Sequence, residues 1–227
     1  IRSSLLALLM STMCLTNTKE GKIARVVFNR PHLLNAMSNQ ATIDLNTIAD
    51  AIAKEDDVRV VVITGAGRSF STGIDLKELS AHQIEMVYHQ RWERALRIFE
   101  ALEEIVIAGI KEYCLGGGLQ LALACDVRVA ADDAVLGLPA IKEGLIPGLG
   151  TYRLAQYVGL GRAKRLILSG ENVRAQEAHA IGLVDYVIPL AEFETRLEEI
   201  DNDCRRLPNQ SNSHTIARKL PITIFPR

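Results

Sequence analysis

Nearly continuous apolar segments alternate with amphipathic ones along the 227-residue chain. Two of the apolar segments, 58–64 and Ile105–Ile110, have the composition of strands that are buried on both faces of a parallel sheet, and the Val and Ile content of Ile23–Phe28 predicts another strand. Further short strands are predicted at 127–130, 135–138 and 184–188. Strands that alternate with helices indicate an α/β fold with crossover connections. On this pattern alone a doubly wound sheet fits equally well.

Helical spacing of apolar positions predicts the elements between these strands. Ser38 is expected to cap a helix that runs to about residue 54, and the buried face of this helix is predicted to contain Ile43, Leu45, Ile48 and Ile52. A helix with interruptions is predicted over 76–102, and another directly follows the three glycines at 116–118. Further helices are predicted at 151–158, 162–168, 174–182 and 190–206.

Residues 1–13 differ in composition from the rest of the chain. They contain no acidic residue, and their apolar run is too short to span a bilayer. A secretory signal, a remnant of a transit peptide and a non-native or upstream-translated leader all fit, so the segment is set apart from the predicted fold. The rest is divided into a core at 14–190 and a short C-terminal helical region at 191–227.

Composition and charge exclude several classes of function. The net charge is −1, and acidic and basic residues are interspersed, so no nucleic-acid partner is expected. No segment predicts a membrane span. The four cysteines form neither a CxxC pair nor a zinc spacing, which indicates reduced thiols in a reducing compartment and no metal site.

Two glycine-containing turns carry the candidate chemistry. One is the GGG of residues 116–118, and the other is FSTGIDLKEL at 70–79; each is predicted to follow a buried strand and to open a helix. Backbone N–H groups at such a turn have no helical partner. Two turns on adjacent strands can each direct one N–H group at the same oxygen, as an oxyanion hole requires. The simpler alternative is that the glycines only form a tight turn, which allows a helix and a strand to pack closely.

Five segments of the chain resemble the crotonase, or enoyl-CoA hydratase/isomerase, superfamily. The resemblance covers roughly residues 20–206 and does not fix the reaction, because this fold hosts several chemistries. The segments are NRPHLLNA at 29–36, ITGAGRSFSTGIDLKEL at 63–79, YCLGGGLQLALACD at 113–126, GLIPGLGTYRL at 144–154 and EAHAIGLV at 177–184.

The resemblance implies a ββα spiral with a C-terminal helical region, assembled as a homotrimer or hexamer. It implies an acyl-CoA thioester as substrate, with coenzyme A as part of the substrate and no other cofactor. The thioester oxygen would lie between the backbone N–H groups of Ile74 and Gly117. His32 stands where the family often has a lysine near the coenzyme A phosphates, although a lone exposed histidine is more often only surface. The substrate-binding positions implied are His32, Leu34, Ser71, Gly73, Asp75, Leu76, Gly116 and Pro139.

The sequence departs from the family at both usual catalytic glutamates. The first position holds Gln120, and the second, in the segment Gly137-Leu-Pro-Ala-Ile, holds Ala140. Glutamine has no proton to exchange in the physiological pH range, and alanine offers no polar group. Glu143, one helical turn after Ala140, is a candidate displaced acid, although a residue there is more often a solvated charge. The segment 208–227 is short and polar, where the family usually continues with helices that cover the pocket and contact other subunits.

Three functional hypotheses follow. The first is an enzyme that polarises an acyl-CoA thioester, for which decarboxylation or hydrolysis is favoured over the hydration or isomerisation that the family name implies. The second is a non-catalytic acyl-CoA-binding or scaffolding paralogue, and the third is a damaged gene product. The expected location is the cytoplasm, or an organelle matrix if residues 1–13 are the remnant of a transit peptide.

Overall fold

The computed structural model describes residues 7–18 and 22–206. Ten strands and seven α-helices form an α/β architecture in this part of the chain. The strands are β1 Ala7–Leu9, β2 Met13–Asn17, β3 Ile23–Phe28, β4 Val60–Gly65, β5 Ile105–Ile110, β6 Tyr113–Leu115, β7 Val127–Ala131, β8 Val135–Gly137, β9 Asn172–Arg174 and β10 Tyr186–Ile188. The helices are α1 Asn39–Ile52, α2 Leu76–Ser80, α3 Met86–Ala101, α4 Gly117–Leu123, α5 Gly150–Ser169, α6 Ala175–Ala180 and α7 Phe193–Arg206.

The strands form two sheets. The larger has the order β1-β2-β3-β4-β5-β7-β10 and is parallel from β3 onwards, while β1, β2 and β3 are antiparallel neighbours. The segments 58–64 and Ile105–Ile110 are neighbours in this sheet, since β4 pairs with β5. The smaller sheet has the order β6-β8-β9. The chain thus passes from a long strand to a short strand and then to a helix, as β5, β6 and α4 do.

The apolar strands are buried on both faces, as their continuous runs predict. One face of the larger sheet packs against α1, α3, α4 and α5 in the main hydrophobic core. The other face is covered by α7, whose Phe193 and Leu197 join Val60, Val62 and Ile107 in a second cluster. The two clusters hold the sheet rigidly beneath the loops at its carboxyl edge.

The N-terminal segment differs from its prediction. The expectation that residues 1–13 lie outside the fold is wrong for residues 7–13, because β1 pairs with β2 and Met13 is fully buried. Asp44, buried in α1, accepts hydrogen bonds from the backbone N–H of Thr12 at 2.9 Å and from its hydroxyl at 2.6 Å. These bonds anchor the hairpin on the helix. The origin of the segment and the domain limits stay predictions.

Several helix limits were also predicted imperfectly. Ser38 caps α1 as expected, with its hydroxyl accepting from the backbone N–H of Ala41 at 3.2 Å. Ile43, however, is 39% exposed, and α1 buries Thr42 and Asp44 instead. The predicted helices at 151–158 and 162–168 are the two parts of α5, and a kink at Gly159 (φ 77°, ψ 158°) separates them. The short strands β6 and β9 were not predicted.

Candidate functional site

The two glycine-containing turns meet where β6 enters α4. Ser71 donates its backbone N–H to the carbonyl of Tyr113 at 2.9 Å, and Leu115 donates back to the carbonyl of Ser71 at 2.9 Å. Beyond this pairing, Gly73 lies against the GGG turn with φ +85°, and a Cβ there would be 2.8 Å from the backbone nitrogen of Gly117. Only glycine allows this backbone approach.

The loop at 32–36 supports the first turn from the other side. Thr72 donates its N–H to the carbonyl of Leu34 at 3.1 Å, Met37 donates to Gly73 at 2.7 Å, and Asp75 donates to Met37 at 3.0 Å. Asn35 fixes the loop, because its side-chain amide donates to the carbonyls of Ala66 at 3.0 Å and Ser69 at 2.8 Å. The backbone at Ile74 is therefore held between two layers of hydrogen bonds.

The backbone N–H groups of Ile74 and Gly117 have no hydrogen-bond acceptor among the residues that the structure describes. The N–H groups that precede them are hydrogen-bonded, since Gly73 donates to the Ser71 hydroxyl at 3.1 Å and Gly116 donates to the carbonyl of Gly137 at 2.9 Å. Backbone donors are rarely left unpaired away from water. Two free donors directed at the same oxygen are what an oxyanion hole requires.

Ile74 and Gly117 both line a cavity of about 550 Å³. Seven of the predicted site residues line it, namely Ile74, Leu76, Gly116, Gly117, Gln120, Pro139 and Ala140. Other parts of its wall come from α3, from the 3-10 helix Pro139–Glu143 and from the turn that leads into α5; these residues are Tyr88, His89, Trp92, Glu93, Lys142, Glu143, Leu145, Ile146, Pro147, Gly148 and Leu149.

The other five predicted site residues do not line this cavity. Ser71 and Gly73 lie behind its wall, where they pair the two turns. His32 is exposed in the 3-10 helix Pro31–Leu33, and Leu34 serves through its carbonyl as the acceptor for Thr72. The cavity therefore brings together Ile74, Gly117, Gln120 and Ala140 with three of the predicted substrate-binding residues, but not with His32, Leu34, Ser71, Gly73 or Asp75.

Asp75 has a structural role. One carboxylate oxygen caps α2 by accepting from the backbone N–H of Lys77 at 3.0 Å and of Glu78 at 3.4 Å, and the other pairs with Arg30 at 2.9 Å. Burial opposes ionisation of this carboxyl, but the Arg30 hydrogen bond and the two backbone N–H groups outweigh it, so the pKa of Asp75 lies below its ordinary value. Its lone pairs are directed at the protein and not at the cavity.

Gln120 and Ala140 face the cavity from α4 and from the 3-10 helix Pro139–Glu143. The side chain of Gln120 packs on the turn into α5, where its Cγ lies 2.8 Å from the position that a Cβ on Gly150 would occupy. The two positions that the sequence resemblance assigns to glutamates thus hold a neutral amide and a methyl group.

Helix α3 forms one wall of the cavity, a position that the sequence did not predict. The Trp92 ring packs on the GGG turn, with its Cζ2 3.3 Å from the position of a Cβ on Gly117, and its indole nitrogen is buried without a partner in the described part of the chain. Tyr88 donates its hydroxyl to the carbonyl of Met37 at 3.2 Å. The apolar spacing of Tyr88, Trp92, Ala95 and Phe99 marks the buried face of α3, but spacing alone does not show that this face borders a cavity.

An ion-pair cluster ties this wall to α5. Arg153, which is buried, donates to both carboxylate oxygens of Glu93 at 3.0 and 2.7 Å and to those of Glu100 at 2.5 and 2.9 Å. Burial by itself lowers the pKa of Arg153, but the hydrogen bonds that it donates to the two carboxylates outweigh this effect and raise the pKa above its ordinary value. The guanidinium therefore stays charged and fixes the position of Glu93.

Among residues 7–18 and 22–206, no group of three or more His, Cys, Asp or Glu side chains is placed to hold a metal ion. None of the helices in those ranges is long and apolar enough to cross a membrane.

Comparison with known proteins identifies the family. The family model described as enoyl-CoA hydratase/isomerase matches residues 18–219. The chain is 37% identical over 190 residues to the short-chain-enoyl-CoA hydratase of Clostridium acetobutylicum, covering 81% of this chain and 72% of that protein. It is 36% identical over 181 residues to a probable mitochondrial enoyl-CoA hydratase of Dictyostelium discoideum, covering 79% of this chain and 65% of that protein.

A solved structure of an enoyl-CoA hydratase from Bacillus anthracis superposes with a TM-score of 0.80 at 37% identity, covering 86% of this chain and 76% of that one. The fold is therefore the ββα spiral that the resemblance implied. On the extent of the family match, this identity and this superposition, the chain belongs to the enoyl-CoA hydratase/isomerase family, the crotonase superfamily.

Proposed function

We propose that this protein binds an acyl-CoA thioester and stabilises the enolate of that thioester in an oxyanion hole formed by the backbone N–H groups of Ile74 and Gly117. One observation carries the proposal: these two N–H groups lack acceptors among the described residues and line the same cavity, while the adjacent N–H groups of Gly73 and Gly116 are hydrogen-bonded. The names of the relatives support the acyl-CoA substrate class.

Backbone donors suit this task because they are fixed before the substrate arrives. When a proton or a carboxylate leaves the carbon next to the thioester carbonyl, negative charge builds up on the carbonyl oxygen. Donors that already point at that oxygen stabilise the charge without reorganising, and each is worth about 10²–10³ in rate. The side chains at 120 and 140 do not affect this contribution.

The same cavity argues against the two-glutamate mechanism. Hydration needs one group to activate water and another to deliver a proton, and Gln120 and Ala140 do neither. The proposed reaction class is oxyanion chemistry with fewer acid–base groups, such as decarboxylation through an enolate or hydrolysis through a tetrahedral intermediate. No cofactor besides the coenzyme A of the substrate, a homotrimeric or hexameric assembly, and a cytoplasmic or organelle-matrix location belong to the same proposal. The contacts of His32 and Leu34 with coenzyme A stay predictions.

A non-catalytic acyl-CoA-binding paralogue is the alternative. The observation that favours it is the absence of a carboxylate at both usual positions, in a cavity whose backbone donors are intact. Such a protein would hold the thioester oxygen in the same way but would release the ligand unchanged.

The binding half of the proposal is tested with a matched pair of ligands. Calorimetry compares butyryl-CoA with the thioether S-butyl-CoA, which lacks only the carbonyl oxygen. The thioester should bind roughly 30-fold more tightly, because each of the two hydrogen bonds contributes about 1 kcal/mol. Ile74→Pro removes one of the two N–H groups and should lower the affinity ratio to about fivefold. Ile74→Ala, which shortens the side chain but keeps the N–H group, should preserve the ratio. Equal affinity of the wild type for both ligands would refute the oxyanion hole.

The catalytic half is tested by deuterium exchange. Butyryl-CoA is incubated with the protein in D₂O, and incorporation of deuterium next to the carbonyl is followed by mass spectrometry. An enzyme that stabilises the enolate accelerates this exchange, whereas a binding paralogue leaves it at the uncatalysed rate.

A further inference from the structure

The 3-10 helix Pro139–Glu143 brings a carboxylate to the same face as the lost glutamate position. Such a helix has 3.0 residues per turn, so side chains three residues apart are eclipsed. Glu143 is therefore stacked over Ala140, and both residues line the cavity that contains the Ile74 and Gly117 N–H groups. The helix ends at Gly144, whose left-handed conformation (φ 67°) turns the chain away immediately after Glu143.

The two carboxylates in the cavity wall differ in their partners. Glu93 is held by Arg153 through both oxygens and by Arg97 at 3.3 Å, so its negative charge is compensated. Glu143 makes no hydrogen bond or ion pair with the part of the chain that the structure describes, and it is exposed at the cavity rim. Of the two, only Glu143 is free to accept a proton without breaking an ion pair.

The other titratable groups of the wall are less suited to proton abstraction. Burial, and then the nearby charges of Glu78 and Asp75, raise the pKa of the Tyr88 hydroxyl, which already donates to the carbonyl of Met37. Lys142 as an ammonium ion has no lone pair to accept a proton. His89 lines the cavity, is exposed and packs edge-on against Tyr88, with ring centroids 5.3 Å apart. Because a neutral imidazole has one nitrogen with a free lone pair, His89 is the residue that competes with Glu143 for the role of base.

We propose that Glu143 is the acid–base residue of this site. Its carboxylate removes a proton from the carbon next to the thioester carbonyl. The C–H electron pair becomes the carbon–carbon double bond of the enolate, and the carbonyl π pair moves to the oxygen held by the Ile74 and Gly117 N–H groups. The protonated Glu143 then returns a proton to that carbon in the reverse step. This inference rests on the proposed oxyanion hole and names the group that works with it.

The test is the exchange of butyryl-CoA in D₂O by a set of variants. Glu143→Gln should slow the exchange by about 10²–10⁴-fold, the usual worth of one acid–base group. Its affinity for butyryl-CoA should change little, since the N–H groups remain. Glu143→Asp should retain part of the rate. Adding Ala140→Glu to Glu143→Gln should restore exchange, because the new carboxylate lies on the same face of the 3-10 helix.

Two controls accompany these variants. Glu103→Gln removes an exposed carboxylate outside the cavity and should leave the exchange unchanged. His89→Gln tests the competing base and should leave most of the rate. Circular dichroism and thermal melts check that each variant is folded.

The outcomes separate this inference from the proposed function. Exchange that survives Glu143→Gln, or that His89→Gln abolishes, would overturn the role of Glu143 and leave the oxyanion hole standing. Thioester-selective binding with no exchange by the wild type would overturn the role of Glu143 and favour the binding paralogue. Absence of thioester-selective binding would remove the oxyanion hole itself.

Discussion

Gly73 and Gly117 approach so closely that a Cβ on Gly73 would lie 2.8 Å from the backbone nitrogen of Gly117. This distance is shorter than any ordinary contact, and the atom it would meet is backbone. Gly73→Ala is therefore expected to force the two turns apart and to strain the left-handed backbone at residue 73. The combined cost should be about 2–4 kcal/mol of unfolding free energy. Thioester-selective binding should fall with it, because the Ile74 and Gly117 N–H groups would no longer converge.

Two other glycines in the chain are matched controls. Gly159 also has a positive φ, but no atom lies within 4 Å of a Cβ placed there, so Gly159→Ala tests strain alone and should cost about 1–2 kcal/mol. Gly161 has open space and no positive φ within α5, so Gly161→Ala should stabilise by about 0.5–1 kcal/mol. Urea unfolding of the three variants measures the series. A Gly73→Ala protein as stable as Gly159→Ala would contradict the close approach.

The sequence is most informative where burial is complete. The apolar runs of β3, β4 and β5 predict buried strands because side chains on both faces must be apolar. The GGG turn and the turn at 70–79 are also recognisable, since close backbone contact requires glycine at specific positions. The convergence of Ile74 and Gly117 on one cavity follows from these features, because β4 and β5 are neighbours and their exits share an edge of the sheet.

Other parts of the site depend on tertiary contacts that leave no local pattern. Asp75 could be recognised as polar, but its pairing with Arg30, 45 residues earlier in the chain, could not. The role of α3 as a cavity wall depends on where that helix packs, which its own spacing does not determine. Residues 7–13 were set apart for their composition, although pairing with β2 and the bonds to Asp44 incorporate them into the fold.

Trp92, the single tryptophan of the chain, provides an intrinsic probe of the cavity. Its ring packs on Gly117 and lines the space where the thioester is proposed to bind. We expect acyl-CoA to change the intensity of tryptophan emission and to saturate with the dissociation constant that calorimetry gives. Titration of free N-acetyltryptophanamide corrects for absorption by the adenine ring. Calorimetric binding without any change in emission would place the ligand elsewhere.

The Asp75–Arg30 ion pair should make stability depend on pH. Because the pKa of Asp75 is lower in the folded protein than its ordinary value of about 3.9, the pair stabilises fully above that value. Its contribution is lost as the pH falls through the lower, folded-state pKa. Asp75→Asn keeps a capping oxygen but removes the charge, so it should cost about 1–2 kcal/mol at neutral pH. The stabilities of wild type and variant should converge in strong acid.

Asp50→Asn is the matched control for this pH series. Asp50 pairs with Arg94 on the exposed surface, where water and salt screen the interaction, and its loss should have a smaller effect. Unfolding free energies from urea titrations at several pH values measure both variants. An Asp75→Asn protein that differs from wild type by the same amount in acid and at neutral pH would contradict the assigned role of the charge.

The last prediction concerns Gln120 and Ala140, the two positions that the resemblance assigns to catalytic glutamates. Both line one cavity with Ile74 and Gly117, so carboxylates at 120 and 140 would enter the site that contains the proposed oxyanion donors. We expect the wild type to hydrate crotonyl-CoA very slowly, because neither side chain can activate water or deliver a proton. Gln120→Glu together with Ala140→Glu should raise hydration by orders of magnitude. Gln120→Glu alone should do much less, since the two groups act as a unit and their effects are not additive.

A spectrophotometric assay of enoyl-CoA loss compares the wild type, both single variants and the double variant. Fast hydration by the wild type would mean that another group already supplies the missing chemistry, and Glu143→Gln would then identify whether it is Glu143. A double variant that binds acyl-CoA but stays inactive would indicate a cavity shaped for a different reaction, because the donors and both carboxylates would be present and only the substrate geometry would be wrong.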